Sequence, residues 1–202
     1  MRPSWIEVDL DAIESNVRAI RERVYPAEVC AVVKSVGYGH GDVAAAHAAT
    51  AGGATWLAVA LVAEGVRLRE SGLDRPILVL SEPLIEELEA VVEWSLTPIV
   101  YRGDFIGGVA EAAARAGATP YPVHLKVDTG MHRVGADPAT AIELARRIDA
   151  DDRLVLEGIA THLSVAEADG EFTAKQVRAL ARFRDTLGDE GIDGDFVHAA
   201  NT

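Results

Sequence analysis

Short apolar runs alternate with helix-period segments through almost the whole chain, and that alternation constrains the fold more than any other feature. Strands are expected at residues 28–34, 56–60, 77–80, 96–100, 123–128, 154–162 and 196–200, with a further alternating segment at 5–10. Helices are expected at 11–23 behind an Asp11 cap, at 42–51 behind Asp42, and at 61–70. More follow from Pro83 through Leu84, Leu88, Val91 and Val92, at 105–116, from Asp137-Pro138 onward, and at 173–187 with Val177, Leu180, Phe183 and Leu187 apolar. Strands this short and apolar belong in a parallel sheet covered by helices. That leaves a doubly wound open sheet or a (β/α)8 barrel. An open sheet carries a dinucleotide fingerprint after its first strand, and Gly37-Tyr38-Gly39-His40-Gly41 lacks that spacing. A barrel gathers its site residues at the C-terminal strand ends, where Lys34, Leu80, Asp128 to Arg133, His162 and Asn201-Thr202 all fall. The expected fold class is α/β, an incomplete TIM-type (β/α)8 barrel with about seven of its eight units, forming one domain over residues 1–202. A chain ending there reads as a truncation or an incomplete gene product, with two strand edges left unpaired.

Composition works by exclusion. A net charge of −13 without a basic run argues against nucleic acid. The single cysteine, Cys30, allows no internal disulfide and fits a reducing compartment. No stretch approaches the ~18 uninterrupted apolar residues of a membrane span. Met1-Arg2-Pro3-Ser4-Trp5-Ile6-Glu7 has no secretory core, so the expected location is the cytoplasm.

The chemistry concentrates where Ala31-Val32-Val33 runs into Lys34-Ser35-Val36-Gly37-Tyr38-Gly39-His40-Gly41. A lysine ending a buried strand either reaches solvent or is desolvated, which lowers its pKa and makes the amine a nucleophile. The glycines let the backbone turn sharply and approach a ligand closely. This suits a Schiff base with an aldehyde cofactor that also bears a phosphate; a solvated lysine before an ordinary turn is the competing reading. Tyr38 is either a core aromatic or a phosphate ligand. In the 123–128 strand, the period of two puts His124, Lys126 and Asp128 on one face and Val123, Leu125 and Val127 on the other. Polar residues facing inward need partners, which favours a polar site. The alternative is a Lys126–Asp128 pair with Arg133 on the surface. His162 is either a hydrogen-bonded structural residue or a stack for a planar ring, and His198 reads as strand filling with a partner.

On these residues the chain resembles the N-terminal barrel of bacterial alanine racemases, which are pyridoxal-phosphate enzymes. The matching segments run in order: Trp5 to Ile13, Val32-Val33-Lys34 with Gly37 to Gly41, Lys126 to Gly135, Gly158-Ile159-Ala160-Thr161-His162, and His198-Ala199-Ala200-Asn201-Thr202. The resemblance implies that Lys34 is the Schiff-base lysine and one of two acid/base groups. It further implies that Arg133 bonds the cofactor's phenolate oxygen and, with Met131, meets the substrate. Tyr38, Asn201 and Thr202 would hold the phosphate, Leu80 would flank the cofactor, and His162 would pack beside the pyridine ring. Lys126 can be carbamylated in this family, which turns a cation near Arg133 into an anion that orients it. No metal is implied. The implied reaction is L-alanine to D-alanine, supplying peptidoglycan, by a homodimer.

This sequence departs from the family at Ser35 and Val36, where members have alanine then aspartate or asparagine, and at Thr202, commonly serine. Family members also continue with a final barrel unit, whose arginine faces the pyridine nitrogen. A β domain follows, whose tyrosine is the second acid/base in the partner's site. Without them this chain is expected to be inactive or nearly so alone. The competing readings are a non-catalytic pyridoxal-phosphate barrel serving cofactor homeostasis and a barrel-fold decarboxylase of the same cofactor class.

Overall fold

The protein is described by a computed structural model covering residues 4–200. The chain divides into two compact units, Met1–Leu80 with Trp94–Leu96 and Ser81–Glu93 with Thr97–Thr202.

In the first unit, α1 (Leu10–Val24) is capped by Asp9, whose side chain accepts from the Ala12 N–H at 3.0 Å. The cap is Asp9 and not Asp11: the helix begins at Leu10, two residues before an Asp11 cap would start it, and Asp11 lies in the first turn. Residues 4–9 do not form the expected strand, and Trp5 and Ile6 are exposed. Alternation makes a strand only where a neighbouring ladder accepts it, and the described residues offer none there. The unit continues with β1 (Cys30–Val32), α2 (Asp42–Ala51), β2 (Trp56–Val59), α3 (Val62–Glu70) and β3 (Ile77–Val79). The strands pair in parallel, Cys30 against Trp56 and Leu57 against Ile77. Leu57, Ala58, Val59, Ile77 and Val79 are fully buried, as strands covered on both faces must be. β1 is shorter and less buried than expected: Cys30 is exposed, Ala31 and Val32 are half-buried, and the backbone leaves extended geometry at Val33. Helix α2 packs through Ala45, Ala46, Ala48 and Ala49. At its end α1 comes so close that a Cβ on Gly52 would sit 2.5 Å from the Glu14 carbonyl oxygen. Asp42 ties α2 to α3, with Arg67 Nη2 at 2.6 Å from its Oδ2.

The second unit opens with a 3-10 turn (Ile85–Glu87) and the short α4 (Leu88–Glu93), then β4 (Thr97–Val100) and α5 (Gly103–Ala116). It ends with β5 (Tyr121–Lys126), α6 (Pro138–Asp149), β6 (Leu154–His162), α7 (Gly170–Asp189) and β7 (Phe196–Ala200). β4 to β7 pair in parallel in chain order. Leu84 precedes the 3-10 turn and is exposed, while Leu88, Val91 and Val92 are buried as the helical spacing requires. Asp137 caps α6 as its sequence predicts, accepting from Ala139 and Thr140. Buried Glu82 fixes the start of α5 by accepting from the Tyr101 and Arg102 N–H groups at 2.7 and 2.8 Å. On α7 the inward stripe is Gln176, Leu180, Phe183 and Leu187; Val177, the fourth apolar residue of the expected helix, is exposed. The spacing of four, three and four runs back from Leu187 to a glutamine, whose polar role appears below.

Two stability predictions follow from these contacts. Phe105→Ala, at a fully buried position in the first turn of α5, is expected to destabilise the protein by about 3–5 kcal/mol in urea denaturation. For Asp42, burial raises the carboxyl pKa, but the Arg67 guanidinium and backbone N–H groups outweigh it and hold it below the ordinary carboxylate value. Its ionised form therefore contributes stability above the unfolded value near 3.9, and this is lost as pH falls through the lower folded value. Asp42→Asn is expected to remove that component from an acid titration followed by circular dichroism.

Candidate functional site

Parallel pairing sends the ends of β1, β2 and β3 to one edge of the first unit. Lys34 lies just beyond β1 and is half-buried; Leu80 follows β3 directly, its N–H donating to Val59 at 2.9 Å. After Lys34 the chain makes a left-handed turn. Ser35, Val36, Gly37 and Tyr38 have φ of 54°, 57°, 61° and 53°. Three of the four bear side chains, and left-handed geometry costs them about 1–2 kcal/mol each. The turn brings the Tyr38 ring centroid to 5.7 Å from Lys34 Nζ and leaves Tyr38 half exposed. Backbone bonds close it: Gly37 N–H donates to Val33 at 2.9 Å and Gly41 N–H to Val36 at 2.8 Å. Glu64 clasps it from α3. Its Oε1 accepts from the Ser35 N–H at 2.7 Å, and its Oε2 from the Ala60 and Leu61 N–H groups at 2.8 and 3.1 Å. One buried carboxylate thus joins the chain leaving β1 to the chain leaving β2.

In the second unit Lys126 ends β5 and is buried. Asp128 does not continue the inward face. Its Oδ1 accepts from the Gly130, Met131 and His132 N–H groups at 2.9, 3.0 and 3.1 Å, and its Oδ2 lies 3.1 Å from His132 Nδ1. Burial raises its pKa, but those N–H groups and the His132 ring outweigh it and keep the carboxyl below the usual range. Asp128 therefore shapes the loop that carries half-buried Met131 and exposed Arg133. His162 ends β6, half-buried, and its carbonyl accepts from Gln176 Nε2 at 3.1 Å. Gln176 also donates to Thr129 Oγ1 at 3.3 Å and accepts from the Ser164 N–H at 3.0 Å. Thr129 donates to Thr161 at 2.8 Å, and Thr161 to the Val127 carbonyl at 2.8 Å. This chain of donors locks the ends of β5 and β6 together. His124 is buried inside β5, with Nδ1 at 2.8 Å from His198 Nε2.

The structure thus joins Lys34 to Tyr38, His124 to His198, and Asp128 to the loop bearing Met131 and Arg133. Asn201 and Thr202 lie outside the described residues. Sequence reasoning missed Glu64 and Gln176. Glu64 stands three residues after Leu61, where a carboxylate caps a helix start, but nothing local shows its reach to Ser35. Gln176 is legible only by running the α7 stripe back one turn. Glu64→Ala leaves the part-buried Ser35, Ala60 and Leu61 N–H groups without this charged acceptor and is expected to cost about 1–3 kcal/mol. The Ser35 amide is expected to lose its protection from hydrogen exchange in the same variant.

Residues 8–202 match the family model described as alanine racemase, N-terminal domain. The alanine racemase of Symbiobacterium thermophilum is 40% identical over 203 residues, spanning 100% of this chain and 54% of that relative. That of Treponema denticola is 36% identical over 207 residues, with 100% and 54% covered. Among solved structures, an alanine racemase of Clostridium difficile 630 in complex with cycloserine aligns with 98% of this chain and 55% of its own at a TM-score of 0.92 and 31% identity. The chain spans about half the length of the relatives it matches. Its strand and helix order is that of an incomplete (β/α) barrel. With the model matched over nearly its whole length, the chain belongs to the alanine racemase N-terminal domain family.

Proposed function

We propose that residues 1–202 form the cofactor-holding barrel domain of a pyridoxal 5'-phosphate-dependent alanine racemase, which converts L-alanine to D-alanine for peptidoglycan. The observation that carries this reading is Lys34 at the head of a clasped left-handed turn just beyond a parallel strand, in a chain matched to the family over residues 8–202. The family is pyridoxal-phosphate-dependent. The residues present fit such a group: a half-buried primary amine suits its aldehyde carbon, and a phenol on the same turn suits its phosphate.

When bound, the cofactor supplies an electron sink that acidifies the Cα–H of an amino acid. Lys34 then takes or returns the proton on one face of that carbon. Its amine is delivered by a backbone that Glu64 holds rigid, so little reorganisation is left to the moment of transfer. Arg133 would hydrogen-bond the phenolate oxygen and, with Met131, meet the substrate; Asp128 fixes the loop that carries both. Lys126 is buried beside this loop, and carbamylation would give it the anionic form that orients a guanidinium. Tyr38 would hold the phosphate, Leu80 would flank the cofactor and His162 would pack beside the ring; Asn201 and Thr202, expected to join Tyr38, lie outside the described residues. The second proton carrier would come from a C-terminal portion such as the longer relatives possess, and the full-length protein would act as a cytoplasmic homodimer. No described helix is long and apolar enough to cross a membrane.

Borohydride reduction after incubation with pyridoxal phosphate, followed by peptide mapping, is expected to place the label on Lys34, and Lys34→Ala is expected to abolish it. A label spread over surface lysines, or none at all, overturns the assignment. A Lys34 label without L- to D-alanine turnover by the full-length protein points instead to a cofactor-carrying barrel.

A further inference from the structure

One polar cluster in the second unit has no part in the reading above, and it is built with unusual care. The parallel register of β5 and β6 runs Val123 against Leu156 and then His124 against Gly158, so Glu157 is an extra residue on β6. Such a bulge re-aims the side chain it carries. Here Glu157 Oε2 comes to 3.1 Å from His124 Nε2. The next residue has no side chain, and its space is occupied: a Cβ on Gly158 would lie 2.6 Å from His124 Cε1 and Nδ1. On the other side, His124 Nδ1 is 2.8 Å from His198 Nε2. The Phe196 ring stacks on His124 with an interplanar angle of 18°. Three strands therefore converge on one buried imidazole.

We propose that Glu157, His124 and His198 act as one hydrogen-bonded unit in which the Glu157 carboxylate fixes the tautomer of both rings. Two imidazole nitrogens at hydrogen-bond distance need one proton between them. The carboxylate can only accept, so His124 carries its proton on Nε2 and donates it to Glu157. Its Nδ1 is then a lone pair, and His198 donates to it from Nε2. The end of the chain is His198 Nδ1, left as an acceptor and unable to donate. A further proton on His198 is opposed by burial, then by His124 and Lys126, which together push its pKa down to about 3. Glu157 is thus a positioning residue: it acts through His124 to set the hydrogen-bonding polarity of His198, and it pins β7 to β5 across β6.

Long-range 1H–15N correlation of the histidine rings, at neutral pH in the full chain, tests this without any cofactor. The wild type is expected to show both His124 and His198 as neutral rings protonated on Nε2. Glu157→Ala is expected to move the nitrogens of both rings toward values averaged over two tautomers. Glu157→Gln, whose amide oxygen can still accept, is expected to keep the wild-type pattern. Gly158→Ala, which displaces the His124 ring and alters no titratable group, is expected to break the His198 pattern as well. A wild-type His198 protonated on Nδ1 overturns the proposal whether or not any variant folds, and so does a folded Glu157→Ala protein with both rings unchanged.

Discussion

Parallel pairing of short strands covered on both faces is the constraint on which the rest of this structure depends. In each unit the strands run the same way, so every strand ends on the same edge. Many side chains inside the ladders are apolar and fully buried, Leu57, Val59, Ile77, Leu125 and Ile159 among them. A polar group there must bring its own partner or be excluded. Lys34, Asp128 and His162 stand at or beyond strand ends for that reason. His124 is the exception inside β5, and it is tolerated because a carboxylate on one side and an imidazole on the other satisfy both ring nitrogens.

Strand ends lead into loops, and loops are ordinarily the mobile parts of a fold. Here each is tied down by a polar hub: Glu64 for the turn after β1, Asp128 for the loop after β5, and Gln176 for the junction of β5 and β6. Magnitudes show why hubs are needed and single bonds do not suffice. The left-handed turn costs about 1–2 kcal/mol for each residue with a side chain, whereas one ordinary hydrogen bond contributes roughly 1 kcal/mol net. The turn persists because several bonds share the load.

Much of this was legible in the sequence, for a definite reason. The period of the apolar residues reports burial, and burial fixed the strands; β6 and β7 have the expected limits. Strand ends then located Lys34, Leu80, Asp128 and His162 without any contact being known. What stayed hidden depends on partners far along the chain. Glu64 meets Ser35 across 29 residues and Glu157 meets His124 across 33. In sequence each is one more acidic residue. The β6 bulge shifts the register by a single residue and leaves no mark except Gly158. Residues 5–10 mislead in the opposite sense, since alternation there meets no ladder to join.

Val36 connects these threads. The resemblance gives most family members aspartate or asparagine at this position, and those residues enter left-handed geometry several times more readily than others. A β-branched valine at φ 57° is among the worst tolerated, and it is more than half exposed, so burial offsets little of that strain. This chain therefore depends more heavily than relatives with a polar residue there on what surrounds the turn. Those surroundings are the Gly41 N–H on the Val36 carbonyl and the Glu64 carboxylate on the Ser35 N–H.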